Sequence, residues 1–371
     1  MTVLVAPDKF KGSLTAAEVA DVVASAFAAV VPSEPVRRLP VADGGEGTVA
    51  AAVAAGFRRV PVRVSGPTGR RGTAYFALRG QVAVVELAEA SGLSRLPGGL
   101  PAPCTASSHG TGELIAAALA AGATSVVLGV GGSACTDGGA GMLTALGARL
   151  LDSSGNLVPP GGGSLTLVST VDLSGLPPMN LVLASDVDNP LLGPNGTAAV
   201  YGPQKGATTD DIALLERGLH RWAELLGPRH ATTPGSGAAG GVGFAVVAAL
   251  GARIRPGIDV VLELLDFPAA AGEARLVVTG EGSLDAQSLH GKAPIGVVRA
   301  AGNTPVVALA GRCLLTPAAC RTAGFHAVHA LSDVDPDESR CMAQARTLLH
   351  LCARRLAREW STGPAPVEVA G

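Results

Sequence analysis

Short runs of β-branched and aliphatic residues, each ending in a polar, glycine-bearing segment, recur along the chain. Thr2 to Ala6 is the first, and Pro7-Asp8-Lys9-Phe10-Lys11-Gly12-Ser13 follows it. Thr15 and Glu18 have capping-box spacing and open a helix that runs to about Val30. Val36 to Val41 is a second strand, ending in Ala42-Asp43-Gly44-Gly45-Glu46-Gly47-Thr48 before an Ala-rich helix to Ala55. Repeated strand, polar loop and helix predict α/β winding with parallel strands. Ligands of such sheets sit beyond the C-terminal ends of the strands, where both polar loops fall.

From Val60 the period changes. PVRVSGPTGRRGTAYFALRGQVAVVELA alternates residue by residue, with turns at Gly66-Pro67-Thr68-Gly69 and Arg79-Gly80, so a hairpin or meander is expected. Thr111 to Ala121 reads as a helix. Asn180 to Ser185 reads as a strand before Asp186-Val187-Asp188-Asn189-Pro190, and Asp210 to Leu226 as an amphipathic helix. Gly235 to Gly243 is a glycine cluster. The apolar stretch Ala238 to Ile254 reads as a buried helix, too short and too interrupted by glycine to span a bilayer. After Asp266 the α/β rhythm returns. Arg275 to Thr279 is a strand closing on Gly280-Glu281-Gly282-Ser283-Leu284-Asp285, and Thr304 to Ala310 and His326 to Leu331 are further strands. One helix from about Glu338 to Trp360 ends the fold, and residues 361–371 read as a frayed tail. The expected organisation is a discontinuous α/β domain, 1–62 with 264–371, carrying an inserted second α/β domain, 63–263.

The densest signal lies at Ser125 to Leu150. Ser125 to Leu128 has the pattern of a buried strand, and Met142 to Leu150 is apolar at helical spacing. Between them stand Gly129, Gly131, Gly132, Gly138, Gly139 and Gly141, with Ser133, Thr136 and Asp137 interspersed. A strand, a glycine-rich turn and a helix make an anion site, because unobstructed N–H groups converge there and the helix N-terminus favours negative charge. Thr136 and Asp137 would suit Mg²⁺ or its waters. A tight structural turn is the alternative reading, since glycine supplies 50 of 371 residues.

Composition narrows the function. A net charge of −2 leaves no basic surplus for nucleic acid. MTVLVAPD lacks the basic start of a signal peptide. The six cysteines show no C-x-x-C pair or metal spacing, so they read as reduced thiols of a cytoplasmic protein. The seven histidines are scattered, and no zinc site is expected.

Acidic residues gather in the loops after buried strands: Asp8, Asp43, Glu46, Asp137, Asp186, Asp188, Glu281 and Asp285. Turns favour aspartate for backbone reasons, so each alone is equally a turn residue. Together, carboxylates beside glycine N–H groups suit phosphoryl transfer, which needs metal ligands, phosphate donors and a base for the acceptor hydroxyl. All four lysines, Lys9, Lys11, Lys205 and Lys292, lie in loops of motif character. No Walker sequence is present, because Gly291-Lys292 is followed by Ala293 and Ala286 replaces the first glycine. Protein-kinase signatures are absent too. Gly129-x-Gly131-x-x-Ala134 matches a dinucleotide fingerprint, with Asp152 at a plausible distance, so an NAD-dependent oxidoreductase is one rival. A non-catalytic sensor of a small molecule or nucleotide is the other.

Taken together the loops resemble the glycerate kinase family of bacteria. The matching stretches are APDKFKGSLTAAEVA (6–20), PVADGGEGT (40–48), GPTG (66–69), ELAEASGL (86–93), GVGGSACTDGGAGML (129–143), ASDVDNPLLGPNG (184–196), YGPQKGA (201–207), TGEGSLDAQSLHGKAPIGV (279–297) and VVALAGR (306–312). Lys9 and Cys135 depart from the family pattern, where serine and threonine are usual. The resemblance implies a flavodoxin-like domain made from both chain ends, an inserted α/β domain, and a site in the cleft between them. It implies transfer of the ATP γ-phosphoryl group to D-glycerate, giving 2-phosphoglycerate in preference to 3-phosphoglycerate, with Mg²⁺. The partners expected are small molecules, with no membrane and no nucleic acid, in a monomer or homodimer. Gly131, Gly132, Ser133, Thr136, Asp137, Gly138 and Gly139 are then candidates for the ATP phosphates. Asp186 and Asp188 are candidates for base or metal ligand, and Lys292 joins them as a catalytic candidate. Asp8, Lys11, Ser13, Asp43 and Glu46 would hold substrate, and Glu281 and Asp285 the metal.

Overall fold

The computed structural model describes residues 2–362, so the tail reading for 363–371 falls outside the described residues. In chain order the strands are β1 (Thr2–Val5), β2 (Val36–Arg38), β3 (Arg58–Ser65), β4 (Arg71–Arg79), β5 (Val82–Glu86), β6 (Ser125–Gly129) and β7 (Arg149–Leu151). They continue as β8 (Thr170–Asp172), β9 (Asn180–Ala184), β10 (Arg253–Arg255), β11 (Ala274–Leu284), β12 (Val306–Cys313) and β13 (Ala327–Ala330). The chain divides into two compact units. One joins the chain up to Asp43 with the chain from Ile258 onward, and the other is Gly44–Gly257.

The first unit holds one parallel sheet in the order β13-β12-β11-β1-β2. Read from the other edge this is 2-1-3-4-5, the flavodoxin order, whose ligand site lies at the switch point beyond the first and third strands. Here those strands are β1 and β11. The helix Ala16–Val30 starts as its sequence requires: the Thr15 hydroxyl accepts from the Glu18 N–H, and the Glu18 carboxylate accepts from the Thr15 N–H. Its buried face, Val19, Val22, Val23, Ala26 and Phe27, packs with Leu348, Leu349, Cys352 and Leu356 of the helix Ala345–Ser361. The single C-terminal helix of the sequence reading is two, Glu338–Ala343 and Ala345–Ser361, divided at Gln344.

The second unit is a mixed sheet in the order β10-β9-β6-β5-β4-β3. β5, β6, β9 and β10 run parallel, while β3 and β4 form the expected antiparallel meander. The helix Thr48–Ala54 belongs with β3, β4 and β5, and β3 already starts at Arg58. The units therefore part after Asp43 and after Gly257, whereas the sequence reading placed the borders at 62 and 263.

Two other elements differ from expectation. The helix expected to reach Leu150 covers only Ala140–Ala145, because Gly147 turns at φ 112° and releases the chain into β7. The stretch read as one helix from Ala238 is regular only from Val242 to Leu250, since Ala239, Gly240 and Gly241 all have positive φ. It then ends at Gly251, and the chain continues into β10.

Candidate active site

In the first unit, hydrogen bonding carries the strands past their formal ends. The Ala6 N–H donates to the Val278 carbonyl, the Asp8 N–H to the Gly280 carbonyl, and the Val41 N–H to the Pro7 carbonyl. Residues 8 and 281 thus leave adjoining strands at the switch point, and Asp43 follows the neighbouring segment. β11 itself runs on through Gly280 to Leu284, where the sequence reading expects a loop. That extension needs Gly280, whose Cβ would stand 2.0 Å from the Leu309 carbonyl oxygen.

These carboxylates feel one another. Asp8 is only 8% exposed, and burial, then Asp43, pushes its carboxyl up to about 7, with Lys9 opposing and Glu281 adding to the rise. Glu281, 9% exposed, is raised by burial and then held back by the Ser288 hydroxyl and the Lys292 ammonium. Its Oε1 is buried without a hydrogen-bond partner. Asp285 is placed differently. A burial penalty that would raise it is outweighed by Lys292, whose Nζ lies 3.9 Å from Oδ1, and by the N–H groups of Ser288 and Gln287. Asp285 therefore caps its own turn, and Glu281 keeps the acceptor that a cation would use. Among the described residues no three His, Cys, Asp or Glu side chains form a cation cage. Mg²⁺ does not require one, since it keeps waters and takes one or two carboxylates beside phosphate oxygens. The unpartnered Oε1 of Glu281 fits that demand. Lys11 is exposed at the tip of a turn closed by Phe10 and Leu14, and the Ser13 hydroxyl donates to the Phe10 carbonyl.

In the second unit, Glu86, Gly129 and Ala184 stand opposite one another across β5, β6 and β9. The loops bearing Gly131–Ser133 and Asp186–Asp188 thus leave from one line. The loop 44–47 packs over it: a Cβ on Gly129 would lie 2.6 Å from the Gly44 carbonyl oxygen, and one on Gly131 2.6 Å from the Gly45 Cα. The fingerprint glycines serve this close approach, and the next helix starts only at Ala140, so the short dinucleotide turn is not formed. Exposed Glu46 sits in the same loop, which Glu86 anchors by accepting from the Gly47 and Val49 N–H groups. Burial pushes Glu86 up to about 7 against those two donors. The sequence reading includes Glu86 only as the first residue of ELAEASGL and gives it no role, although a glutamate closing the buried run VAVVE is a visible signal.

The expectation for Thr136 to Gly139 needs correcting. Asp137 is 0% exposed, and its carboxylate accepts from the Ser107 and Ser108 hydroxyls and from the N–H groups of Ser108, Gly139 and Gly141. No face of it remains for phosphate or Mg²⁺. Thr136 is buried, Gly138 gives its carbonyl to the Trp222 indole, and Gly139 lies under Ala245. Accessible surface is left at Gly131 and Gly132, beside a largely buried Ser133. Lys205 is buried beneath, donating to the Ser133 hydroxyl at 3.0 Å and to the Cys135 carbonyl at 2.6 Å. Exposed Asp186 accepts from the Gly257 N–H at 2.7 Å. Asp188 is exposed near Tyr201, whose hydroxyl donates to Asn189.

A model described as the glycerate kinase family matches residues 3–361. The chain belongs to the glycerate kinase family. A glycerate kinase of Bacillus subtilis is 47% identical over 324 residues, 84% of this chain and 85% of its own length. The glycerate 2-kinase of Escherichia coli is 44% identical over 325 residues, 84% of this chain and 85% of that one. A crystal structure from Salmonella typhimurium LT2, provisionally named glycerate kinase 2, superimposes with a TM-score of 0.84 at 41% identity, covering 98% of this chain and 99% of the other. Family membership makes the chain an enzyme of the kinase class, and the α/β architecture is that of a glycerate kinase. Among the described residues no helix is long and apolar enough to cross a membrane.

Proposed function

We propose that the protein transfers the γ-phosphoryl group of ATP to the 2-hydroxyl of D-glycerate, giving 2-phospho-D-glycerate, with Mg²⁺ as the metal. The observation that carries this beyond family membership is the carboxylate group Asp8, Asp43 and Glu281 at the β1/β11 switch point, with Lys292 beside it. Asp8, buried beside Asp43 and Glu281 where β1 and β11 end, is the first candidate for the base that removes the hydroxyl proton, with Asp186 and Asp188 the alternatives. Lys11 and Lys292 supply cationic charge for the glycerate carboxylate, and Gly131, Gly132 and Ser133 supply donors for phosphate. Glu281, through its unpartnered Oε1, would hold Mg²⁺, which would supply charge neutralisation for the phosphate oxygens. Free thiols at all six cysteines support a reducing compartment such as the cytoplasm, for a monomer or homodimer handling small molecules alone.

The test is ADP release from Mg·ATP with D-glycerate, followed by phosphorus NMR of the product. We expect glycerate-dependent ADP and a 2-phospho signal. A 3-phospho signal would correct the regiochemistry, and no ADP above background from folded protein would end the assignment. Asp8→Asn is expected to lower kcat at least about a hundredfold if Asp8 is the base. Near-normal turnover in D8N together with collapse in Asp186→Asn would transfer the role to Asp186.

A further inference from the structure

Of the four lysines only Lys205 is buried, at 2% exposure. Its two hydrogen bonds go to neutral acceptors, and it forms no ion pair among the described residues. Asp137 is close enough to act on its charge, but that carboxylate is already satisfied by five donors. A buried ammonium without a paired anion is costly, so such a group calls for a complement that the chain itself does not provide.

The atoms in front of it fit an anion. Ser133 accepts from Lys205, so its own hydroxyl proton is left to give, and among the described residues it meets no acceptor. The N–H groups of Gly131, Gly132 and Ser133 likewise make no hydrogen bond there. The loop is meanwhile tied down on either side. The Gly132 carbonyl accepts from the Leu93 N–H, and the Ala134 N–H donates to the Ser91 carbonyl. Gly132 has a φ of 71°, the left-handed form through which successive N–H groups turn towards one point. Four unspent donors therefore lie within the three residues Gly131–Ser133, at an exposed glycine with a cation hydrogen-bonded behind it.

We propose that Lys205 is a positioning residue for a phosphoryl anion held at Gly131–Ser133, acting through the Ser133 hydroxyl. The ammonium fixes the Ser133 oxygen as its acceptor, which directs the hydroxyl proton outward, and it lends long-range attraction without touching the ligand. This rests on the reading that the loop takes the phosphates of ATP and names the residue that makes it selective for them.

Binding of inorganic tripolyphosphate, ADP and, separately, D-glycerate to the full chain is measured by calorimetry for wild type, Ser133→Ala, Lys205→Met and the double variant. We expect each single variant to lose tenfold or more in affinity for tripolyphosphate and ADP, the double variant to lose no more than the worse single one, and glycerate affinity to stay unchanged. Removal of a buried charge leaves the K205M unfolding temperature at or above that of wild type, which separates positioning from scaffolding. Wild-type affinity in K205M, additive losses in the double variant, absence of tripolyphosphate binding in wild type, or a loss confined to glycerate would each overturn the proposal. If K205M does not fold, unchanged affinity in S133A overturns it alone, and a tenfold loss there sustains it. Binding that follows the expected pattern without glycerate-dependent ADP release would instead remove the kinase reading and leave this site standing.

Discussion

Replacing Asp137 by alanine would strand two serine hydroxyls and three backbone N–H groups in a fully buried setting. Buried donors without acceptors are costly, and we expect D137A to lose about 3–5 kcal/mol in chemical denaturation. Nucleotide affinity per folded molecule should stay close to wild type. Glu86 has a stability signature that depends on pH. Its folded value of about 7 lies above the ordinary 4.5, so the folded chain binds a proton that the unfolded chain releases. The stability it contributes is complete below about pH 4.5 and lost as the pH rises through 7. Glu86→Gln removes that titration while keeping an oxygen for Gly47 and Val49. Relative to wild type, E86Q should gain about 1–3 kcal/mol between pH 5 and pH 8, read from denaturation midpoints at each pH.

At the scale of elements, glycine decides where helices begin and stop. Gly240 sits at φ 70° with its Cβ direction filled by the Cys135 carbonyl oxygen at 2.0 Å, so Gly240→Ala should cost at least about 2 kcal/mol. Gly272, at the end of the helix Phe267–Gly272, faces open space, and Gly272→Ala should be neutral or stabilising by up to about 1 kcal/mol. Denaturation of the pair checks both signs. The capping box of Thr15 and Glu18, the existence of the meander after Val60 and most strand starts are legible in the sequence, because each is encoded by neighbours a few residues apart. Asp8, Asp43 and Glu281 are legible for the same reason, each following its own buried run. The fate of Asp137 is not. Its ligands Ser107 and Ser108 lie some thirty residues earlier, and only the packed fold brings them to it. The two-residue turn at Gly147 and the left-handed stretch at Ala239 escape periodicity for a related reason, since apolar spacing continues across both.

At the scale of the whole chain, the Gly44–Gly257 unit is continuous in sequence and carries its own core of Phe76, Leu114, Ile115, Leu128, Met142, Trp222 and Phe244. Residues 44–257 expressed alone should fold cooperatively, with Trp222 shielded from solvent. Non-cooperative calorimetric melting of that fragment would show that it depends on the rest of the chain. The other unit has no such autonomy, because β1 pairs with β11, so Thr2 lies opposite Ala274. This has a consequence for synthesis. β1 is an interior strand of its sheet, and one of its two partners, β11, emerges from the ribosome only after the entire Gly44–Gly257 unit. Until then its apolar residues Val3, Leu4 and Val5 have no finished sheet to enter, and the nascent chain must carry them as a target for holding chaperones.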